Sequence, residues 1–215
     1  MGSAGPHMAA NYGVTVKAFN LSHEQTVYAR MRADQTGLNN RIEFIEDDYR
    51  NISGQYDAFV SVGMLEHVGT DNFAELGHLI HRSLKPNGLG LIHSIGRSVA
   101  GPMDAWTEKR IFPGACPPSL REMMDIFEPS RFSVLDVENL RLHYARTLEI
   151  WLERFESAAD KVAEMFDDSF VRAWRLYLAA SAATFAADEL QLFQVVFAPS
   201  ANNRIPWTRS HLYDE

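Results

Sequence analysis

Residues 14–96 alternate between short apolar runs of strand length and longer runs with helical spacing. That alternation limits the possible folds more than any other feature of the chain. "VTVKAF" (14–19) is β-branched and alternating, which predicts a strand. Ser22 then caps a helix, with Gln25 three residues on as in a capping box, and the helix runs to about Gly37. "RIEFIED" (41–47) alternates again. "YDAFVSVG" (56–63) is a continuous apolar run after a glycine-containing turn, the pattern of a central parallel strand. "NFAELGHLIHRSLKPNG" (72–88) has apolar residues at helical spacing and stops at Pro86 and Gly88. "LGLIHSIG" (89–96) is a further strand. Strand, helix, strand, strand, helix, strand predicts an α/β domain with a mainly parallel sheet.

The second half has a different rhythm. "PPSLREMMDIFE" (117–128) predicts a short helix opened by proline, and "RFSVLDVENL" (131–140) a strand. Residues from about 143 to 187 are almost all helix-forming, with aromatics at Trp151, Phe155, Phe166, Phe170, Trp174 and Tyr177. "LQLFQVVFA" (190–198) is the last strand, so the helical block reads as a cap inserted between two strands. A chain of 215 residues is one domain, or one domain with a subdomain, and buries a real core. "MGSAGPHM" at the start is expected to be an expression-tag remnant, since it lacks the apolar segment of a signal peptide. The fold is therefore read from residues 9–215.

Composition removes several function classes. The formal net charge of −8 argues against a nucleic-acid partner, whose phosphates demand a basic face. It also argues against bulk electrostatic capture by an anionic membrane, while leaving room for a local basic or apolar patch. The single cysteine, Cys116, forms no internal disulfide, and a reducing cytoplasm is expected. No apolar run reaches the roughly 18 residues of a membrane helix.

Ligands of open α/β sheets bind beyond the carboxyl ends of the strands, so polar residues there are the candidates. They are Asn20, Leu21, Ser22 and Gln25 after the first strand, and Asp47, Asp48 and Tyr49 after the second. Gly63, Glu66 and His67 follow the third, and His93 and Ile95 close the fourth. Side chains able to bond a ribose and an adenine amino group, with a carboxylate near a cation, suit a nucleoside sulfonium cofactor. Each also has a plainer role. Ser22 is a helix cap in any case, Asp48 is also a turn residue, and Glu66 is also placed to cap the helix that begins near Asp71. His67 is expected to be a packed core histidine. His93 lies inside an apolar strand, where a half-buried imidazole costs desolvation without a partner, and this favours a site role.

"SVGMLEHVG", "LIHSIG", "IFPGACPPSLREM", "HYARTLEIWLERF" and "LQLFQVVF", in that order from about Val14 to Phe197, resemble the cyclopropane-fatty-acyl-phospholipid synthases and mycolic acid cyclopropane synthases. The resemblance implies a Rossmann-like class I methyltransferase with a helical insertion. It implies methylene transfer from S-adenosylmethionine to the double bond of an unsaturated phospholipid or fatty acyl chain, with peripheral membrane contact. It implies a bicarbonate ion held by Glu66, His93, Ile95 (through its backbone) and Tyr144. It also implies a cofactor held by Asn20, Leu21, Ser22, Gln25, Asp48, Tyr49 and Gly63. A carboxylate accepts bicarbonate as a neighbour only if they share a proton, because two bare anions in contact repel.

One part of that pattern is missing. No G-x-G-x-x-G occurs in the sequence; "GLG" (88–90) lies within a strand. The family's first strand and glycine-rich loop, which bring backbone to the methionine part of the cofactor, are expected to be absent. That strand would pair between 14–19 and 56–63, leaving two apolar strands with an open side. The expectation is a fragment inactive alone and prone to homo-oligomerise. Two other readings stay open: a small-molecule C-, N- or O-methyltransferase on the same scaffold, or a non-catalytic oligomerising module.

Overall fold

The computed structural model describes residues 4–212 and divides the chain into two compact units, one ending at Gly54 and one beginning at Gln55. The first unit contains helix α1 (Ala4–Tyr12), strand β1 (Val16–Asn20), helix α2 (His23–Gln35) and strand β2 (Ile42–Glu46). β1 and β2 pair in parallel, from Val16 opposite Ile42 to Asn20 opposite Glu46. Ser22 is the N-cap of α2 and accepts from the Gln25 N–H. The capping box is only half made, because the Gln25 side chain accepts from Asn20 instead of the cap backbone. Of the segment set aside as a tag remnant, Met1 to Ser3 lie outside the described residues. Ala4 to Met8 form the first turns of α1, which buries Ala9.

The second unit holds a four-stranded sheet in the order β3-β4-β6-β5. Its elements are β3 (Tyr56–Val62), α3 (Phe73–Ser83), β4 (Leu84–Arg97), α4 (Ala105–Arg110), α5 (Leu120–Phe127), β5 (Phe132–Asn139), α6 (Arg141–Glu156), α7 (Ala159–Met165), α8 (Asp168–Ala186) and β6 (Leu190–Pro199). β3 and β4 are parallel, but β4–β6 and β6–β5 are antiparallel. The expected mainly parallel sheet is thus mixed, because the long helical excursion returns the chain to the sheet in the opposite sense. α3 ends at Ser83, before Pro86. Residues 85–88 bulge out between the pairs Tyr56–Leu84 and Ala58–Leu89, which spares Pro86 the ladder bond it cannot donate. The expected proline-opened helix starts instead at Ser119, through a full capping box with Glu122. The helical block is three helices, not one run.

β4 explains its own glycines. Even-numbered residues from Gly88 to Gly96 face a buried side and odd-numbered ones a half-covered side. A Cβ at Gly90 would sit 2.1 Å from the Phe197 ring, so only glycine lets that ring close over the strand. The odd-numbered face carries His93 and Ile95 toward the helical block. Among the described residues, β1 pairs only with β2 and β3 only with β4, so each keeps one open edge. Val60 and Val62 of β3 are accordingly 39% and 54% exposed.

Candidate active site

The turn after β3 is built to bury a carboxylate. Gly63 takes a left-handed φ of +62° and donates its N–H to the His93 carbonyl at 2.9 Å. The turn Leu65–His67 then sinks Leu65 completely, and Glu66 is carried in beside it, 7% exposed. The Glu66 carbonyl accepts from Cys116 N–H at 2.7 Å, which ties the turn to the segment before α5. Glu66 Oε1 accepts from Ile95 N–H at 2.6 Å. Glu66 Oε2 is buried without a hydrogen-bond partner. Burial pushes the Glu66 carboxyl pKa up, against the opposing pull of its backbone and side-chain hydrogen bonds. A buried acceptor left open is costly, and it marks Glu66 as more than a cap.

Tyr144, on the first turn of α6, faces the same region. Its phenol pKa is raised by burial first and by the Glu66 charge second. Tyr177 of α8 is pushed up to about 12 by burial and then by Tyr144. Both tyrosines therefore stay neutral donors at physiological pH. Ile95, Tyr144, Trp174 and Tyr177 pack on one apolar cluster centred on Leu148, Leu178 and Phe185. Rings stand edge-on around it: Phe185 lies 4.9 Å from Tyr144, and Phe112 5.8 Å from Tyr177. His93 shares the strand face of Ile95, and desolvation lowers its pKa, so it is neutral at pH 7. The structure thus brings Glu66, Ile95 and Tyr144 together, with His93 on the same strand face. The Ile95 N–H is engaged by Glu66 rather than left free.

His67 corrects an expectation. It is exposed, not packed in the core, and its ring stands 6.4 Å from Phe112. The side chain beside the buried carboxylate turns outward because a 3₁₀ turn places consecutive residues about a third of a turn apart. Tyr177, Phe112 and Phe185 were missed as site residues by sequence reasoning. The one signal for Tyr177 was its position three residues after Trp174 on a helix.

In the first unit the candidate residues mostly satisfy one another. Asn20 donates to Gln25 at 2.8 Å and accepts from Ser22 N–H at 2.8 Å. Asp48 accepts from Arg50 through its backbone and guanidinium, and these hydrogen bonds hold its carboxyl down at about 2. The Arg50 guanidinium also lies over the Tyr49 ring. Leu21 is 71% exposed. In the second unit, a side chain at Gly63 would meet nothing within 4 Å, so its backbone is open to a ligand.

Within the helical block, Phe155 and Trp174 pack against the Leu148 cluster, while Trp151 is 42% exposed. Two cavities, of about 320 and 230 Å³, lie elsewhere, and neither is lined by these rings or by Glu66.

Strands with α-helical crossovers, an antiparallel end to the sheet and polar residues at the strand ends make this an α/β fold of Rossmann-like type. The chain aligns with the cyclopropane synthase MmaA2 from Mycobacterium tuberculosis at a TM-score of 0.83 and 22% identity, covering 90% of this chain and 73% of that one. It aligns with the mycolic acid cyclopropane synthase CmaA1 complexed with SAH and CTAB at 0.82 and 21%, covering 89% and 72%. The chain belongs to the mycolic acid cyclopropane synthetase family, whose model matches residues 1–195. It is 38% identical over 203 residues to the cyclopropane-fatty-acyl-phospholipid synthase of Escherichia coli K12, covering 94% of this chain and 52% of that protein. It is 34% identical over 216 residues to a probable fatty acid methyltransferase of Pseudomonas putida, covering 95% and 55%. The chain thus spans about half the length of the curated relatives it matches.

Proposed function

We propose that the chain carries the catalytic carboxylate of an enzyme that transfers a methylene from S-adenosylmethionine to the double bond of an unsaturated lipid acyl chain. The observation that carries the reading is the buried Glu66 carboxyl, with one oxygen fixed on Ile95 N–H and the other without a partner. An alkene is a weak nucleophile, and its methylation leaves a carbocation that must lose a proton before a ring can close. The site has what that sequence of events requires: a shielded carboxyl, neutral phenols and aromatic faces that favour a passing cation.

Bicarbonate fits these residues. Glu66 holds a proton more readily than an exposed carboxyl, so its open oxygen can meet an anion without bare repulsion. Glu66, His93 and Tyr144 would hold the ion, while the Ile95 N–H orients Glu66. Bound S-adenosylmethionine supplies an electrophilic methyl group and bound bicarbonate supplies a base. Asp48 keeps lone pairs beyond those given to Arg50, and within the first unit it would hold the nucleoside with Asn20, Leu21, Ser22, Gln25 and Tyr49. The sequence holds no G-x-G-x-x-G to meet the methionine end. Losing two or three hydrogen bonds to charged groups, at about 1.5–3 kcal/mol each, leaves the chain by itself a weak cofactor binder without turnover. The open edges of β1 and β3 favour self-association.

The test places this chain in the Escherichia coli synthase in exchange for the segment it matches. The chimera is expected to form cyclopropane lipids, read by gas chromatography, and Glu66→Gln in it to lose about a hundredfold or more while S-adenosylmethionine binding is kept. An unchanged rate in that variant would return Glu66 to a structural role. For the chain alone, calorimetry is expected to show little S-adenosylmethionine binding and light scattering to show oligomers. A micromolar affinity in a monodisperse monomer contradicts that part.

A further inference from the structure

The cavity of about 230 Å³ lies toward the opposite end of the sheet from Glu66. It is lined by His78 and His81 of α3, and by Pro129, Ser130 and Arg131 in the turn between α5 and β5. β5 starts at Phe132, whose ring meets Phe197 at 4.9 Å, and Phe197 stands opposite Gly90 of β4. Ile95, which holds Glu66, lies roughly 17 Å further along β4, counted from Gly90 at about 3.4 Å per residue. The cavity is therefore separate from the candidate active site.

Close helix packing builds this second site. A Cβ at Gly77 would fall 2.1 Å from the Ile126 carbonyl oxygen and 2.6 Å from Ser130 Oγ, so glycine is what lets α3 approach α5. That approach brings His78 Nδ1 within 3.0 Å of Ser130 Oγ, on a residue only 5% exposed. His81, one turn on, leans on the Phe132 ring at 5.7 Å, and its ring nitrogens make no hydrogen bond among the described residues. Arg131 takes a left-handed φ of +53°, uncommon for such a side chain. Its backbone is pinned on both sides: its N–H donates to the Glu128 carbonyl at 3.1 Å, and its carbonyl accepts from Ser200 N–H at 3.0 Å.

The lining has donors to spare and no anion. No carboxylate lines the cavity. The Arg131 guanidinium makes no ion pair or hydrogen bond among the described residues. A neutral imidazole and a hydroxyl carry one proton each, and the His78–Ser130 bond uses one of the two. Whichever group donates, the pair keeps one N–H or O–H to give. In a chain of net charge −8, a cavity with a cation and no acid runs against the balance of the surface. A guanidinium fork grips two oxygens of one oxyanion. A tetrahedral anion has further oxygens for the imidazole and hydroxyl donors, whereas a carboxylate has none. Apart from Pro129 no aliphatic side chain lines the cavity, so it has no surface on which to bury a hydrocarbon chain.

We infer that the His78–His81–Arg131 cavity binds a free tetrahedral oxyanion of the phosphate or sulfate type. The inference rests on this cavity alone and needs no methyl transfer. Its failure would leave the reading of Glu66 untouched, and a failure of that reading would leave this site standing.

The experiment follows the histidine ring signals of the whole chain by NMR at fixed pH as sodium phosphate, sodium sulfate or sodium acetate is added, with sodium chloride at matched ionic strength as the reference. The His78 and His81 signals, assigned through His78→Gln and His81→Gln, are expected to shift saturably with phosphate and sulfate. Acetate is expected to bind about tenfold more weakly or less. Arg131→Gly suits the left-handed backbone and so keeps the fold, and it is expected to weaken phosphate binding by about tenfold or more. Equal affinity for acetate would overturn the tetrahedral part. No shift, shifts that chloride reproduces, or an affinity that Arg131→Gly leaves unchanged would overturn the site altogether.

Discussion

The strand ends of the two units carry similar residue types but treat them in opposite ways. After β1 and β2, Asn20, Ser22, Gln25 and Asp48 find partners within a few residues, and most of those bonds are local caps and turns. After β3 and β4, Glu66 and Ile95 bond each other across 29 positions of sequence, inside an apolar shell, and one carboxylate oxygen finds nothing. Polar groups that satisfy one another locally hold a backbone in shape. Those that are buried with a shortfall hold potential for chemistry, because low polarity makes an unpaired group reactive toward any suitable ligand.

The comparison breaks first in the apolar shell. Leu148 is fully buried at the centre of the cluster beneath Ile95 and Tyr144. Leu148→Ala is expected to cost about 2–5 kcal/mol, measured as a drop in the denaturant midpoint at unchanged slope. A loss below 1 kcal/mol would mean that the shell around Glu66 is not a packed core.

The next effect depends on pH. The Glu66 pKa is raised in the fold, so the folded state binds its proton more strongly than the unfolded chain does. The resulting penalty is absent below the ordinary carboxyl pKa near 4.5. It grows as pH rises through the folded value. Glu66→Gln removes the titration, so its melting temperature relative to the parent chain is expected to climb from pH 4 to pH 8. A difference that stays flat with pH contradicts the burial argument. His93 runs the other way: its lowered pKa withdraws stability as pH falls below 6.5.

The first unit should respond less. Ser22→Ala removes the cap of α2 and is expected to cost about 1 kcal/mol, with little effect on residues after Gly54 in an amide-exchange experiment. Smaller still, Arg50→Ala is expected to bring the Asp48 carboxyl from about 2 back toward 3.8, followed by carboxyl NMR. A stability loss there as large as at Leu148 would erase the distinction between the two regions.

Much of the frame was legible in sequence because it rests on local chemistry. The strands at 16–20, 42–46, 56–62 and 190–199 match their apolar periodicity within a few residues. Ser22 declares its cap through hydroxyl chemistry that works within one helical turn. The short helix Ala105–Arg110 left no such signal, since six residues make less than two turns and carry no full apolar stripe.

The sequence by itself determined the order of the strands, the cap at Ser22 and the candidacy of Glu66 and His93, since each follows from neighbours in the chain, while Tyr144 entered through the family resemblance. Only the tertiary structure decided that β6 enters antiparallel, that His67 faces outward, and that Tyr177, Phe112 and Phe185 join Tyr144. Only it decided that one Glu66 oxygen is taken by Ile95 and the other left open. Strand direction, burial and hydrogen-bond partners depend on residues far apart in the chain, and periodicity within a window of a dozen residues holds no record of them.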